Sequence, residues 1–293
     1  MKKYITWATV AILAIGCDNS NFDNNEGKDD ALRIEVLHPA ATRATATSFE
    51  NGDKIGLYVT EYNGEFPTPL QISGNWANNV AVIYDGTEWN AVKKVCWSEN
   101  KLDAYGYYPY MTPQSIDEHL WSVQLDQSSP ETAEALSGYE ASDFMWAKAT
   151  ALSQDGGDVQ LQFKHQCSKL VIKLVKGKDF SGVFPTESEL YIHNTVPTAT
   201  IDFVNGAVTK YVYGEPATIK ARRVSDDTFE AIIVPQRVET FLPFIEYIAN
   251  GVSYLLEDAF VFKPGKQHTL QLTINSNSDQ IEVEVGGTVD GWQ

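Results

Sequence analysis

Short runs of alternating apolar and polar residues recur along the chain, and this two-residue period limits what it can fold into. Leu32, Ile34 and Val36 form one run, and Ile55, Leu57 and Val59 another. Val159, Leu161 and Phe163 follow, then Phe229, Ala231 and Ile233, then Leu270, Leu272 and Ile274, and last Ile281, Val283 and Val285. Successive side chains on a strand point to opposite faces, so each run describes a strand with one face in a core and one in water, the pattern of antiparallel sheets. Gly, Pro, Asn, Asp or Ser bounds each of them. Val171, Ile172, Leu174 and Val175 are denser, as in a strand covered on both faces. Helical periodicity is confined to residues 129–136, where a serine cap, Pro130 at the first helical position, early acids and Gly138 just beyond predict one short helix. The expectation is an all-β protein of antiparallel β-sandwiches.

The 293 residues are 43% hydrophobic and 12% aromatic, enough apolar surface for about two domains of ~150 residues each. Glycines, charges and a proline cluster at 177–185 and mark the expected boundary, giving sandwich domains at 31–180 and 181–293. Cys167 shares strand parity with Phe163 and His165, whereas Leu170, Ile172 and Leu174 have the opposite parity, which predicts a bulge or bend near Ser168 and Lys169. His165 itself reads as a hydrogen-bonded core histidine. Asp155-Gly156-Gly157-Asp158 lacks the ligand spacing of a calcium loop and reads as a tight hairpin.

Lys2 and Lys3 precede a mostly apolar stretch from Tyr4 to Ile15, too short for a spanning helix and typical of a signal peptide. Leu13-Ala14-Ile15-Gly16-Cys17 resembles a bacterial lipobox, which implies a signal peptide over 1–16 and lipid attachment, as by palmitate, at Cys17. Residues 17–30 are polar and acidic, with Phe22 as their only large apolar side chain, and read as a flexible tether. The expected location is the outer membrane, lipid-anchored and facing the cell surface.

A formal charge of −17 with no basic stripe leaves nothing to attract a phosphate backbone, so nucleic acid is not an expected partner. No metalloprotease, hydrolase, phosphate-loop or dinucleotide motif occurs, and the five histidines are far apart. Neither an enzyme, a cofactor nor a metal is expected. Cys96 and Cys167 leave two readings open, a disulfide in an oxidising compartment or two thiols that never meet.

Residues 49–58, FENGDKIGLY, begin a set of fragments that resembles the Bacteroidales fimbrillin family. It continues through Trp89, Trp97, DAYGYYPY at 103–110, SDFMWA at 142–147 and FKHQCSKL at 163–170, then VPQ at 234–236 and FKPGK at 262–266. The resemblance implies two tandem transthyretin-like β-sandwich domains, secretion as a lipoprotein, and a structural or anchoring role in adhesive fimbriae with other subunits as partners, in homo- or hetero-polymers. It also implies assembly by strand exchange: an arginine-specific protease removes an amino-terminal strand, and a neighbour's strand fills the groove. Mapped onto this chain, the strand to be removed carries Leu32, Ile34 and Val36, the cut falls after Arg43 in a small-residue linker, and the donor carries Ile281, Val283 and Val285.

The alternative is a monomeric display module that binds host or bacterial surface glycans or proteins. Its candidates are Tyr105 and Tyr107, which alternation places on the face opposite Tyr108 and Tyr110. One of these faces is core; the other would hold sugar rings.

Overall fold

The computed structural model describes residues 30–39, 48–239, 242–275, 281–284 and 289–292. Among them the regular structure is strand, apart from two single-turn 3-10 helices at Glu140–Ser142 and Gln154–Gly156. No helix of the described residues is long and apolar enough to cross a membrane.

The amino-terminal half builds a seven-stranded antiparallel sheet around Lys54–Asn63, which pairs with Ala77–Tyr84 on one side and Leu102–Tyr108 on the other. Met145–Leu152 and then Lys164–His165 extend it beyond Leu102–Tyr108, and Trp89–Ala91 closes the far edge. A separate two-stranded sheet, Ile34–Leu37 with Val159–Gln162, covers one face. Between them lies a core of Leu32, Ile34, Ile55, Leu57, Val82, Leu102, Val159, Leu161 and Phe163. The alternation read from the sequence is the alternation of this core.

In the carboxyl-terminal half, a six-stranded sheet centred on Ser168–Lys176 faces a four-stranded antiparallel sheet of Ala217–Lys220, Glu189–Thr195, Pro243–Ala249 and Val252–Glu257. Leu170, Ile172, Phe229, Leu270 and Leu272 from the first sheet meet Leu190, Ile192, Ile219, Ile245 and Tyr247 from the second, a sandwich core of inward-facing alternate residues. Among the described strands, antiparallel pairing has two exceptions. Ile34–Leu37 runs parallel to Val159–Gln162, and Ser168–Lys176 runs parallel to Lys266–Ile274. Parallel pairs require long connections, which both pairs have.

Three local expectations change. Residues 129–136 form a loop, not a helix: the Thr132 hydroxyl accepts from the Glu134 and Ala135 amides, and the Ser129 hydroxyl donates to the Asp126 carbonyl. Side chains that bond nearby backbone compete with a helix too short to hold itself together. The parity switch near Ser168 is a change of sheet rather than a bulge. Lys164–His165 belongs to the seven-stranded sheet and Ser168–Lys176 to the six-stranded one, so the chain crosses at Gln166 and Cys167. The Gly/Pro-rich stretch 177–185 falls after this crossing and connects the two facing sheets of the carboxyl-terminal sandwich. Asp155 to Asp158 is likewise a connection between sheets, a 3-10 turn followed by Gly157 at φ 82°, rather than a hairpin within one.

Candidate functional site

The amino-terminal strand is held on both flanks, unequally. Along Val159–Gln162 it pairs in full register, Ile34 with Val159 through Leu37 with Gln162. The Val159 amide donates to the Arg33 carbonyl at 2.8 Å and the Phe163 amide to the Leu37 carbonyl at 3.0 Å. On the other flank the contact is at one end: the Leu32 amide donates to the Val95 carbonyl at 2.8 Å, and Ala31 bridges Cys96. Elsewhere on that flank an open groove of about 870 Å³ lies alongside it, bordered by Glu88, Trp89, Asn90 and Lys94.

Its side chains divide as the sequence predicts. Leu32 and Ile34 are buried in the core of the amino-terminal half, and Val36 packs against the same core. Arg33 and Glu35 face solvent, where the Gln160 amide nitrogen donates to the Glu35 carboxylate at 3.1 Å. The apolar side provides most of the hold, since burying a side chain of this size contributes ~1.5–3 kcal/mol.

At its exit the strand is fixed by rings. His38 meets Phe49 edge to face at 4.9 Å and His165 at 6.0 Å. His165 donates a 2.8 Å hydrogen bond from Nδ1 to the Asp143 carboxylate and stacks on Trp292, so it is the bonded core histidine that its parity implied. Burial lowers the His38 pKa below its usual 6.5. Nearby, burial raises that of Asp53, whose carboxylate accepts from the Tyr108 hydroxyl at 3.0 Å.

The expected donor segment lies in its own sheet. Ile281–Glu284 pairs antiparallel with Lys266–Ile274, Ile281 opposite Ile274 and Val283 opposite Leu272, at the sheet's edge. Val285 lies outside the described residues, as do Cys17 and Arg43.

Tyr105 and Tyr107 do not form an exposed patch. They are 4% and 1% exposed, because the face opposite Tyr108 is core too: both rings belong to one cluster, and Tyr107 packs against Phe144 and Phe203. The Tyr107 hydroxyl is engaged within the fold, with the Asn79 side-chain oxygen at 2.5 Å and the Met111 carbonyl at 2.8 Å sharing its one proton. Cys96 and Cys167 are not joined by a disulfide; Cys167 is buried in the carboxyl-terminal core and Cys96 lies beside Ala31. Among the described residues no cluster of His, Cys, Asp and Glu could hold a metal ion. What the site can do is hold an extended segment by main-chain pairing and an apolar floor.

Two features carried no signal in sequence. The partner of the amino-terminal strand lies 125 residues away, and alternation alone does not match one strand to another. The ion-pair network of Lys169, Glu230 and Arg222 is equally non-local.

The sequence model of a family described as fimbrillin-like matches residues 42–292. No curated protein sequence matches the chain. Among solved structures, a proposed cell adhesion protein from Bacteroides uniformis superposes with a TM-score of 0.67 at 19% identity, over 92% of this chain and 100% of the other. Another, from Bacteroides ovatus, gives 0.62 at 15% identity, over 90% of this chain and 98% of the other. A fimbrial protein from Bacteroides ovatus gives 0.50 at 18% identity, over 83% of this chain and 48% of the other. At these identities the likeness is one of fold.

Proposed function

Because the chain belongs to the fimbrillin-like family, we propose that it is a fimbrial subunit whose amino-terminal strand keeps a place that another subunit's strand later takes. Membership makes it a fimbrial or adhesion-type subunit of the cell surface. In the proposed sequence of events, Cys17 carries the lipid that anchors the precursor to the outer membrane. A protease then cuts after Arg43, and Ile34–Leu37 leaves with everything before it. The vacated place has an apolar floor and the unpaired edge of Val159–Gln162, and an incoming strand adds to it by main-chain hydrogen bonds.

One observation carries this reading. The strand that would leave belongs to a sheet of two, pairs fully along one flank only, and has an open groove along the other. Removing it breaks no strand pairing within the seven-stranded sheet beneath and uncovers the apolar face on which Leu32 and Ile34 pack. A monomeric glycan-binding module finds less support, since both aromatic rings that suggested it are buried.

Amino-terminal mass spectrometry of protein taken from the cell surface tests the proposal. The expected result is an acylated form beginning at Cys17 together with a form beginning at Ala44, the latter in a ladder of polymers. An intact chain from Cys17 as the only species, with no ladder, overturns it.

A further inference from the structure

We infer that the open groove beside the amino-terminal strand is a docking site of its own, in which the uncleaved chain holds residues 281–285 of a second copy before any strand is exchanged. The inference rests on the strand-exchange reading above and adds a step that precedes the cut.

The main chain decides which way each wall of the groove points. In the ladder with Val159–Gln162, the Arg33 and Leu37 carbonyls accept from the Val159 and Phe163 amides, so the odd-numbered residues of the strand turn their N–H and C=O groups toward that partner. Even-numbered residues turn theirs the other way, as the Leu32 amide does toward the Val95 carbonyl. The N–H and C=O groups of Ile34 and Val36 therefore face the groove, and among the described residues no strand pairs with them there.

The opposite wall is a second open edge. Trp89–Ala91 is the last strand of the seven-stranded sheet. The Val92 amide donates to the Ala81 carbonyl and the Asp85 amide to the Glu88 carbonyl, so Glu88 and Val92 turn toward their own sheet, and Trp89 and Ala91 turn their main-chain groups away from it. Two sheet edges thus border one cavity of about 870 Å³. The Leu32–Val95 hydrogen bond closes it at one end. Phe49 lines the other end beside His38, its ring meeting Trp89 edge to face at 4.9 Å. Open edges of this kind recruit strands, and one that adds to the free flank of Ile34–Leu37 breaks no bond to Val159–Gln162.

Ile281–Glu284 fits this wall. It lies at the edge of its own sheet, where a neighbour can reach it, and at four residues it matches Ile34–Leu37 in length. Its sequence alternates Ile281, Val283 and Val285, for the side lined by Phe49 and Trp89, with Glu282 and Glu284, for the solvent side that Glu35 occupies in the resident strand. The groove adjoins the place that the strand finally takes. A neighbour's strand therefore waits on the free flank of the resident one and moves into its seat once the cut releases it.

A full chain carrying Arg43→Ala, which the cut cannot open, tests the step with a fluorescent peptide of residues 280–285 titrated to millimolar concentration. The peptide is expected to bind this uncleaved chain, and Val36→Pro to weaken it about ten-fold, because proline removes an N–H that faces the groove and none from the ladder with Val159–Gln162. The sign separates docking from displacement: loosening the resident strand helps a peptide that displaces it and harms one that pairs with it. Methylating the peptide's own amide nitrogens probes the same pairing without touching the fold. Of two peptides, N-methylated at Glu282 and at Val283, one is expected to keep its affinity and the other to lose it, since only one flank is paired. Uptake only after the chain is nicked between residues 39 and 48 overturns this inference alone, as do equal affinities for Val36→Pro and its parent or for the two methylated peptides. Binding that appears only when residues 17–30 are deleted gives the groove to the chain's own tether and overturns it too. No uptake by either the uncleaved or the nicked chain overturns strand exchange together with this inference.

Discussion

The imidazole of His165 lies flat on the indole of Trp292, ring centroids 3.7 Å apart and planes 5° from parallel. The stack joins the point where the chain changes sheets to Trp292, and His38, at the exit of the amino-terminal strand, meets His165 edge-on at 6.0 Å. The Trp292 amide also donates to the Gly265 carbonyl at 3.1 Å, so ring and backbone together fix the carboxyl end. Trp292→Ala is expected to cost ~3 kcal/mol, as large aromatic truncations in a core do, and Trp292→Phe less than half of that. Urea denaturation with an unchanged m-value measures both. An alanine variant as stable as the parent would mean that the terminus contributes no packing.

Glu230 accepts two cations in the carboxyl-terminal half, Lys169 at 2.9 Å and Arg222 at 2.8 Å, with the Lys169 and Glu230 side chains only 2% and 3% exposed. The Arg222 guanidinium in turn lies over the Tyr139 ring at 3.4 Å. Glu230→Gln leaves two cations facing a neutral amide, one of them buried, and is expected to cost ~3–5 kcal/mol. Lys169→Met leaves the Glu230–Arg222 pair neutral and replaces a buried ammonium by a thioether of similar length, so its cost is expected to be smaller, ~1–2 kcal/mol. Chemical denaturation of the two variants side by side decides the order, and a costlier Lys169→Met would reverse the account.

The alternation of Leu32, Ile34 and Val36 and of Val159, Leu161 and Phe163 was legible because a strand's period is local, and the structure places both sets in one core. That these two strands pair, and in parallel, was not legible, because nothing near either one encodes a partner 125 residues away. Tyr105 and Tyr107 show the same limit. Parity correctly separated their face from that of Tyr108, but only tertiary structure brings Phe203 over it. At residues 129–136 capping residues suggested a helix, and the same hydroxyls bond a loop instead.

Stability should fall as the pH drops from 7.5 to 5.5. Burial lowers the pKa of His38, His119 and His268 below the usual 6.5, with the charge of Lys263 adding to the effect at His268. The folded state holds these rings neutral while the unfolded chain takes up protons near 6.5. Their contribution is therefore complete above that pH and is lost as the pH falls through the folded values. Asp85, held to about 2 by hydrogen bonds from the Glu88 amide and from Thr87, titrates far below this window. The melting temperature should be lower at pH 5.5, with the slope reduced in His38→Gln. A flat profile over this range would contradict the burial of these rings.

Two glycines with the same backbone requirement should respond differently to alanine. Gly52 at φ 102° and Gly206 at φ 76° both occupy the left-handed region, where a Cβ costs ~1–2 kcal/mol. A Cβ on Gly52 meets nothing within 4 Å, so Gly52→Ala should cost that amount and no more. A Cβ on Gly206 would fall 2.5 Å from the Trp146 ring, which cannot move without loosening its 2.8 Å indole hydrogen bond to the Phe203 carbonyl. Overpacking adds ~1–3 kcal/mol, so Gly206→Ala should be the more damaging of the two and should also change the tryptophan signal in near-ultraviolet circular dichroism. Equal costs with an unchanged spectrum would show that the Trp146 ring has room to shift, and that the contact of the turn joining the antiparallel strands Thr198–Asp202 and Ala207–Lys210 with the seven-stranded sheet is looser than these distances require.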